Sequence, residues 1–191
     1  MKRSMYYLLT GLFLFSACEQ KDDLFSDAIA YWSFSDVNDS AADNSRMQEK
    51  GNLQWITLDG DAARDSKQRG GDGKAVKLDG SGWLDAVQGA NDELNITGKQ
   101  ITIAVRIKAD SLKDLNPVIT KSGDDQSIAY SLTLAKDGED LFIRTMLGSD
   151  DIGGAHLLKY KLPKEEWHDW HDIVFRFNGR GSELYVDGLL R

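Results

Sequence analysis

The stretch ITIAVRIK, Ile101–Lys108, constrains the fold most strongly because every second residue in it is apolar and β-branched. In an extended strand, successive side chains point to opposite faces. The isoleucines and Val105 would therefore share one face. The opposite face would carry Thr102, Ala104, Arg106 and Lys108. This alternation indicates a strand with one buried face rather than an amphipathic helix.

Similar short segments recur along the chain and are separated by Gly, Asp and Asn, which favour turns. The other predicted strands are Ala28–Phe34, Leu53–Leu58, Lys74–Leu78, Trp83–Val87, Pro117–Lys121, Ile128–Ala135, Leu141–Leu147, His171–Asn178 and Ser182–Asp187. A hairpin is predicted around Asp137-Gly138, whereas residues 35–52 and 59–73 are predicted to be loops. Since no long segment sustains a helical apolar period, we expect an all-β, antiparallel β-sandwich.

The N-terminus reads as an export and anchoring signal. Residues 1–17 combine a basic start with a short apolar run, as in a secretory signal peptide. Phe15-Ser16-Ala17-Cys18 resembles a bacterial lipobox, and EQKDD after it resembles the surface-export signal of Bacteroidetes lipoproteins. This predicts lipidation of Cys18, an acidic tether over residues 18–27 and a place on the outer face of the outer membrane. The alternative is a plain signal peptide followed by an incidental cysteine.

Composition, charge and the motifs present reduce the classes of function that the chain could have. The net charge is −8, and without a basic stripe the chain is not expected to bind nucleic acid. One cysteine excludes an internal disulfide framework. The acidic pairs fall in predicted loops, and no nucleophile elbow or phosphate-binding loop is present, so we assign no catalytic residue.

The segment WHDWHD, residues 167–172, resembles a metal site in composition only. On a strand, His168 and His171 would point to opposite faces and could not easily bind one ion. We therefore expect Trp170 to pack in the core at the start of a strand. His171 and Asp172 are expected to form hydrogen bonds where the chain enters that strand.

Five segments, in order, resemble laminin-G-like domains of the concanavalin A-like lectin and glucanase class. They are AYWSFSDVNDSAADNS (30–45), GGDGKAVKLDGSGWLDA (70–86), ELNITGKQITIAVRIKADSL (93–112), VITKSGDDQSIAYSLTLAKDGEDLFI (118–143) and WHDIVFRFNGRGSELYVDGLLR (170–191). The resemblance implies a jelly-roll over residues 28–191 that lacks its last strands. Relatives continue with a strand beside the first one, so we expect a longer natural chain, because Ala28–Phe34 would otherwise be an unpaired apolar edge.

The resemblance also implies candidate ligand residues. Relatives carry Trp where this chain has Arg106, on a sheet face that lines the sugar site when there is one. Arg144 lies in a similar alternating strand, and Trp83 could stack on a glycan or pack on a sheet edge. The alternative for the arginines, and the one favoured for Arg176, is a cross-strand ion pair.

A structural calcium ion is a further expectation, because relatives often hold one near the Asx-rich loop SDVNDSAADNS. Asp36, Asn38 and Asp43 would supply oxygen ligands. The alternative is a turn that binds no ion.

Three functions remain open. The first is a non-catalytic module that binds a polysaccharide or oligosaccharide. The second is an accessory part of a glycoside hydrolase, since the sequence near the C-terminus resembles that of modules attached to fructan-active enzymes of family 32. The third is a structural or adhesion domain.

Overall fold

Strands dominate the regular structure of the computed structural model, which describes residues 29–30, 32, 34, 46–68, 73–87, 94–96, 99–122, 128–148 and 156–191. The strands are β1 Arg46–Lys50, β2 Leu53–Thr57, β3 Lys74–Leu78, β4 Trp83–Val87, β5 Ile101–Lys108, β6 Leu115–Ser122, β7 Ile128–Asp137, β8 Asp140–Leu147, β9 His156–Leu162, β10 Trp170–Phe177, β11 Ser182–Val186 and β12 Leu189–Leu190. One α-helix, α1, spans Gly60–Gln68, and a 3-10 turn spans Lys164–Glu166.

All strand pairs in the described residues are antiparallel. One four-stranded sheet has the order β6-β7-β8-β9, and we call it the β8 sheet. A second has the order β12-β11-β10-β5, and we call it the β10 sheet. Two smaller sheets pair β1 with β4 and β2 with β3. The expected all-β, antiparallel class is therefore confirmed.

The two four-stranded sheets share one apolar core. Its buried members come from both sheets and are Leu132, Leu134, Leu141, Ile143, Leu162, Ile173, Leu184 and Val186. A neighbouring cluster joins Ile103, Tyr130, Phe175 and Phe177, again from both sheets. Each sheet therefore has an inner face in this core and an outer face that points away from it.

Strand β8 shows how alternation separates the two faces. Leu141, Ile143 and Thr145 are all 0% exposed and point inward. The intervening Phe142 and Arg144 are half-buried and lie on the outer face. In β5 the isoleucines point inward in the same way, as the sequence predicted.

Two hairpins follow the turn chemistry in the sequence. Asp137 pairs with Asp140, so Gly138 lies in a two-residue loop, where its φ is +62°. Asp187 and Gly188 join β11 to β12 with φ of +53° and +77°, which fits a type I′ turn. The predicted hairpin around Asp137-Gly138 is confirmed.

The sequence interpretation missed helix α1, which lies in the segment predicted as a loop. The helix is polar and short, so its sequence lacks the apolar residues at helical spacing that would predict it. Asp61 in its first turn favours the positive helix start, and the carbonyl of Asp59 accepts a hydrogen bond from the Ala63 N–H at 3.3 Å. A further anchor, the ion pair between Asp65 and Arg106, joins distant parts of the chain.

Three strand assignments also need correction. The sequence interpretation assigned no strand between Leu147 and His171, but β9 begins there at His156; it has leucine on both faces and so lacks clean alternation. Strand β1 is polar and forms by pairing with β4. The described residues of the predicted strand Ala28–Phe34 are not in a strand, and Phe34 has a φ of +58°.

We predict that Ile143→Ala lowers the free energy of unfolding by about 2–5 kcal/mol, because it leaves a cavity between the sheets. Leu157→Ala is the matched control, since Leu157 is 61% exposed on the neighbouring strand. The control should change the unfolding free energy by no more than about 0.5 kcal/mol. Urea denaturation measures both values, and equal losses would contradict the shared core.

Candidate functional site

The side chain of Arg106 forms ion pairs with two carboxylates of the same chain. Its guanidinium nitrogens donate to Asp172 Oδ2 at 3.1 Å and to Asp65 Oδ2 at 3.0 Å. Its Cζ also lies 5.6 Å from the ring centroid of Trp170. Asp172 is the cross-strand neighbour of Arg106, whereas Asp65 comes from α1. The arginine thus links the helix to the outer face of the β10 sheet, which agrees with the ion-pair alternative.

We predict that Arg106→Ala releases α1 from the sheet, because it removes both carboxylate contacts at once. Amide hydrogen exchange in residues 60–68 should become faster, while exchange in β8 stays unchanged. Mass spectrometry of the exchanged protein measures this. Arg176→Ala is the control, since the ion pair between Arg176 and Glu183 is long, at 4.0 Å. Unchanged exchange in the helix would show that Arg106 does not hold it.

Trp83 is presented to solvent at 55% exposure. It begins β4 and pairs with Lys50 of β1. Its indole N–H donates to Asp85 Oδ1 at 3.1 Å, which fixes one edge of the ring. The indole is open enough to stack on a ligand, and its role stays a prediction.

Arg144 differs from Arg106 in its surroundings. Across the β8 sheet its neighbours are Thr133 on β7 and Lys159 on β9, neither of which is a carboxylate. The Nε atom of Arg144 is buried and has no hydrogen-bond partner among the described residues. Leaving a buried N–H without an acceptor costs about 1–3 kcal/mol. No acceptor in the described part of the chain offsets this cost, so the unpaired N–H needs a functional explanation.

The outer face of the β8 sheet surrounds Arg144 with three cross-strand rows. The rows are Ser131–Met146–Leu157, Thr133–Arg144–Lys159 and Ala135–Phe142–Lys161. Strand β7 contributes only small side chains to these rows, so the side chains on this face project less far from the sheet along β7 than along β8. Although they point away from the core, Ser131 is 6% exposed and Ala135 is 1% exposed. The face is thus sheltered as well as polar.

Phe142 holds two cations beside it. The Nζ atom of Lys159 lies 3.6 Å from the ring centroid, and the Cζ atom of Arg144 lies 5.9 Å from it. Attraction to the ring quadrupole stabilises such positions. Sequence reasoning did not single out Phe142, yet strict alternation in DLFIRTML places it on the same face as Arg144.

The lysines of this face are paired at its rim. Lys159 Nζ lies 3.4 Å from Asp137 Oδ2, and Lys161 Nζ lies 2.8 Å from Asp140 Oδ2. All four side chains are more than a third exposed, so the pairs are weak. The two rim carboxylates are thus occupied by lysines. Arg144 is left as the cation of this face that has no carboxylate partner among the described residues.

Arg106 and Arg144 cannot share one ligand. Arg106 lies on the outer face of the β10 sheet, and Arg144 lies on the outer face of the β8 sheet. The common core separates these two faces. Within the described residues, no hydrogen bond, ion pair or ring contact joins Trp83 to either arginine.

The histidines of WHDWHD do different work. His171 is 5% exposed, and its Nδ1 lies 2.8 Å from Asp187 Oδ2 while its Nε2 lies 2.8 Å from the Glu166 carbonyl oxygen. His168 is exposed, with Nδ1 2.8 Å from the Ala109 carbonyl oxygen. Trp170 was expected in the core, but strand alternation places it on the outer face beside Arg106.

The two ends of the last resembling segment meet at this histidine. Asp187, in the turn after β11, accepts a hydrogen bond from the Asp172 N–H at 2.9 Å and contacts His171 with its other oxygen. The Asp187 N–H in turn donates to the Asp172 carbonyl at 2.8 Å. This network, which we call the His171 clasp, ties the β11–β12 turn to the start of β10.

The clasp favours the charged form of both partners. Burial lowers the pKa of His171, but hydrogen bonds to Asp187 and to the Glu166 carbonyl outweigh burial, and the net pKa is raised above 6.5. Burial raises the pKa of Asp187, but hydrogen bonds from His171 and the Asp172 N–H outweigh it, and the net pKa falls below 3.8. The histidine contribution is complete below pH 6.5, and the aspartate contribution is complete above pH 3.8.

We predict that the clasp stabilises the protein most between these two values and weakens as the pH rises through the raised pKa of His171. The loss in unfolding free energy on His171→Gln should therefore be larger at about pH 5.5 than at about pH 8.5. Urea denaturation of both proteins at both pH values measures the difference. An equal loss at the two pH values would contradict a charged His171.

Several predicted site residues lie outside the described residues: Cys18, Asp36, Asn38 and Asp43. Within the described part of the chain, no group of three or more His, Cys, Asp or Glu side chains is placed to hold a metal ion. No helix in that part is long and apolar enough to cross a membrane.

Comparison with models of protein families, with curated proteins and with solved structures gave no match to this chain.

Proposed function

We propose that this chain is a non-catalytic carbohydrate-binding module with a jelly-roll sandwich, held at the outer surface of a bacterial outer membrane by a lipid on Cys18. The observation that carries the proposal is the outer face of the β8 sheet. It combines a half-buried aromatic ring, small hydroxyl side chains and a cation whose buried Nε lacks an acceptor.

Sugar sites need a few polar groups placed precisely beside apolar surface. On this face the polar groups are Thr133, Arg144 and Lys159, which form one row across three strands. Strands position such groups more firmly than loops do, since backbone hydrogen bonds run along both sides of β8. Phe142 supports the proposal in two ways, because it supplies apolar surface and holds both cations.

The remaining parts of the proposal come from the sequence alone. Lipidation of Cys18 would tether the module, and a calcium ion on Asp36, Asn38 and Asp43 would stabilise the loop that carries them. The accessory role beside a glycoside hydrolase and the adhesion role stay as predictions that binding measurements can separate.

We predict that Phe142→Ala weakens binding of a glycan by about tenfold or more, because it removes the ring that positions Arg144 and Lys159. A panel of neutral and acidic polysaccharides identifies a ligand by affinity electrophoresis, and calorimetry then measures the affinity. Phe142→Leu keeps apolar bulk and should lose binding as well. Arg176→Ala, on the other sheet, is the control and should bind normally.

Two results would contradict this proposal. Binding to none of the polysaccharides would favour a structural or adhesion domain. Loss of affinity in Trp83→Ala, with normal binding by Phe142→Ala, would move the glycan site from the β8 sheet to the β1–β4 pair.

A further inference from the structure

The guanidinium of Arg144 is the feature of the outer face that the folded chain leaves incomplete. Its Nε is buried and has no acceptor within the described part of the chain, although arginine is the side chain best suited to bind planar anions. Its strand partners, Thr133 and Lys159, supply no carboxylate. Arg106, in the same kind of strand position, has two carboxylates within 3.1 Å. The contrast lies in the partners and not in the burial pattern of the strands.

We propose that Arg144 binds the carboxylate of an acidic sugar, so that the module takes a uronate-containing polysaccharide. This inference rests on the proposed function and names its ligand class. A carboxylate beside Arg144 would supply the counter-ion that its strand neighbours lack and would form charge-assisted hydrogen bonds with the guanidinium. A neutral sugar hydroxyl can accept one hydrogen bond but leaves the charge of this half-buried side chain without a counter-ion.

The surroundings fit an anion better than a neutral ligand. Lys159 lies in the same row as Arg144, and both cations are drawn towards Phe142. Within the described residues, Lys159 forms an ion pair with Asp137 at 3.4 Å, and the Asp137 side chain is 64% exposed. This pair is loose enough for the ammonium to turn towards a ligand. The sheltered face also lowers the local dielectric, which strengthens attraction between an anion and Arg144.

The negative net charge of the chain limits the binding of acidic polymers to the surroundings of Arg144. The chain has a net charge of −8, which repels acidic polymers over most of its surface. An acidic polysaccharide would therefore gain from contact mainly at the β8 sheet. Binding there depends on a specific contact and not on bulk electrostatic attraction, so it should persist at moderate salt.

The test uses three uronate polymers, each with its carboxyl-reduced form: polygalacturonate, alginate and glucuronoxylan. Reduction turns each carboxylate into a hydroxymethyl group and keeps the linkages. We expect the wild-type protein to bind at least one acidic form about tenfold or more tightly than its reduced form. Dextran sulfate serves as the control for bulk charge and should bind no better than neutral dextran.

Three variants connect the preference to Arg144. Arg144→Gln should lose the difference between acidic and reduced forms. Arg144→Lys keeps the charge but not the planar fork, so it should keep only part of the difference. Arg144→Met keeps the packing and removes the buried N–H without an acceptor. It should unfold at the same or a higher temperature than the wild type and should not bind the acid. Arg176→Ala is the matched surface control.

The outcomes separate the two proposals. Tight binding of a neutral glycan that is lost in Phe142→Ala, with no preference for acidic forms, would overturn this inference and leave the proposed function in place. Binding of dextran sulfate as tight as that of the uronates would overturn it too, because bulk charge would then suffice. Clear destabilisation by Arg144→Met would make Arg144 a structural residue. Binding to no polysaccharide would overturn both proposals.

Discussion

The packing of β8 against the opposite sheet is the constraint on which the rest depends. Leu141 and Ile143 are fully buried between the sheets, and a strand cannot turn one side chain inward without turning the next one outward. Phe142 and Arg144 are therefore fixed on the outer face by the core itself. A slip of one residue in register would bury the guanidinium and expose the leucine, which explains why the arrangement is firmly specified.

The two arginines show how one local pattern leads to two different roles. Arg106 and Arg144 each interrupt an alternating apolar strand, and the sequence treated them alike. The cross-strand neighbour decides between them, since Arg106 faces Asp172 while Arg144 faces Thr133 and Lys159. Helix α1 adds Asp65 to the first arginine. Pairings of this kind join residues far apart in the chain, and local patterns do not contain them.

The sequence predicted those parts of the fold that depend on short-range rules. Alternation in ITIAVRIK placed Arg106 on the correct face, and the Asp-Gly turn predicted the β7–β8 hairpin. Helix α1 and strand β9 were missed because tertiary contacts and pairing, rather than apolar period, stabilise them. The sequence predicted only part of the His171 clasp. Hydrogen bonding by His171 was expected, but its partner was not, because a positive-φ turn places Asp187 beside the histidine.

The most direct test of the account observes the Arg144 side chain itself. Protein labelled with nitrogen-15 at arginine gives a separate Nε–H signal for each arginine in NMR spectra, and the Arg144→Lys variant assigns the signal of interest. Titration with oligogalacturonate should shift the Arg144 signal, because a carboxylate then lies beside its guanidinium, and should leave the already paired Arg106 signal in place. A shift of the Arg106 signal alone, or binding without a change at Arg144, would contradict the account.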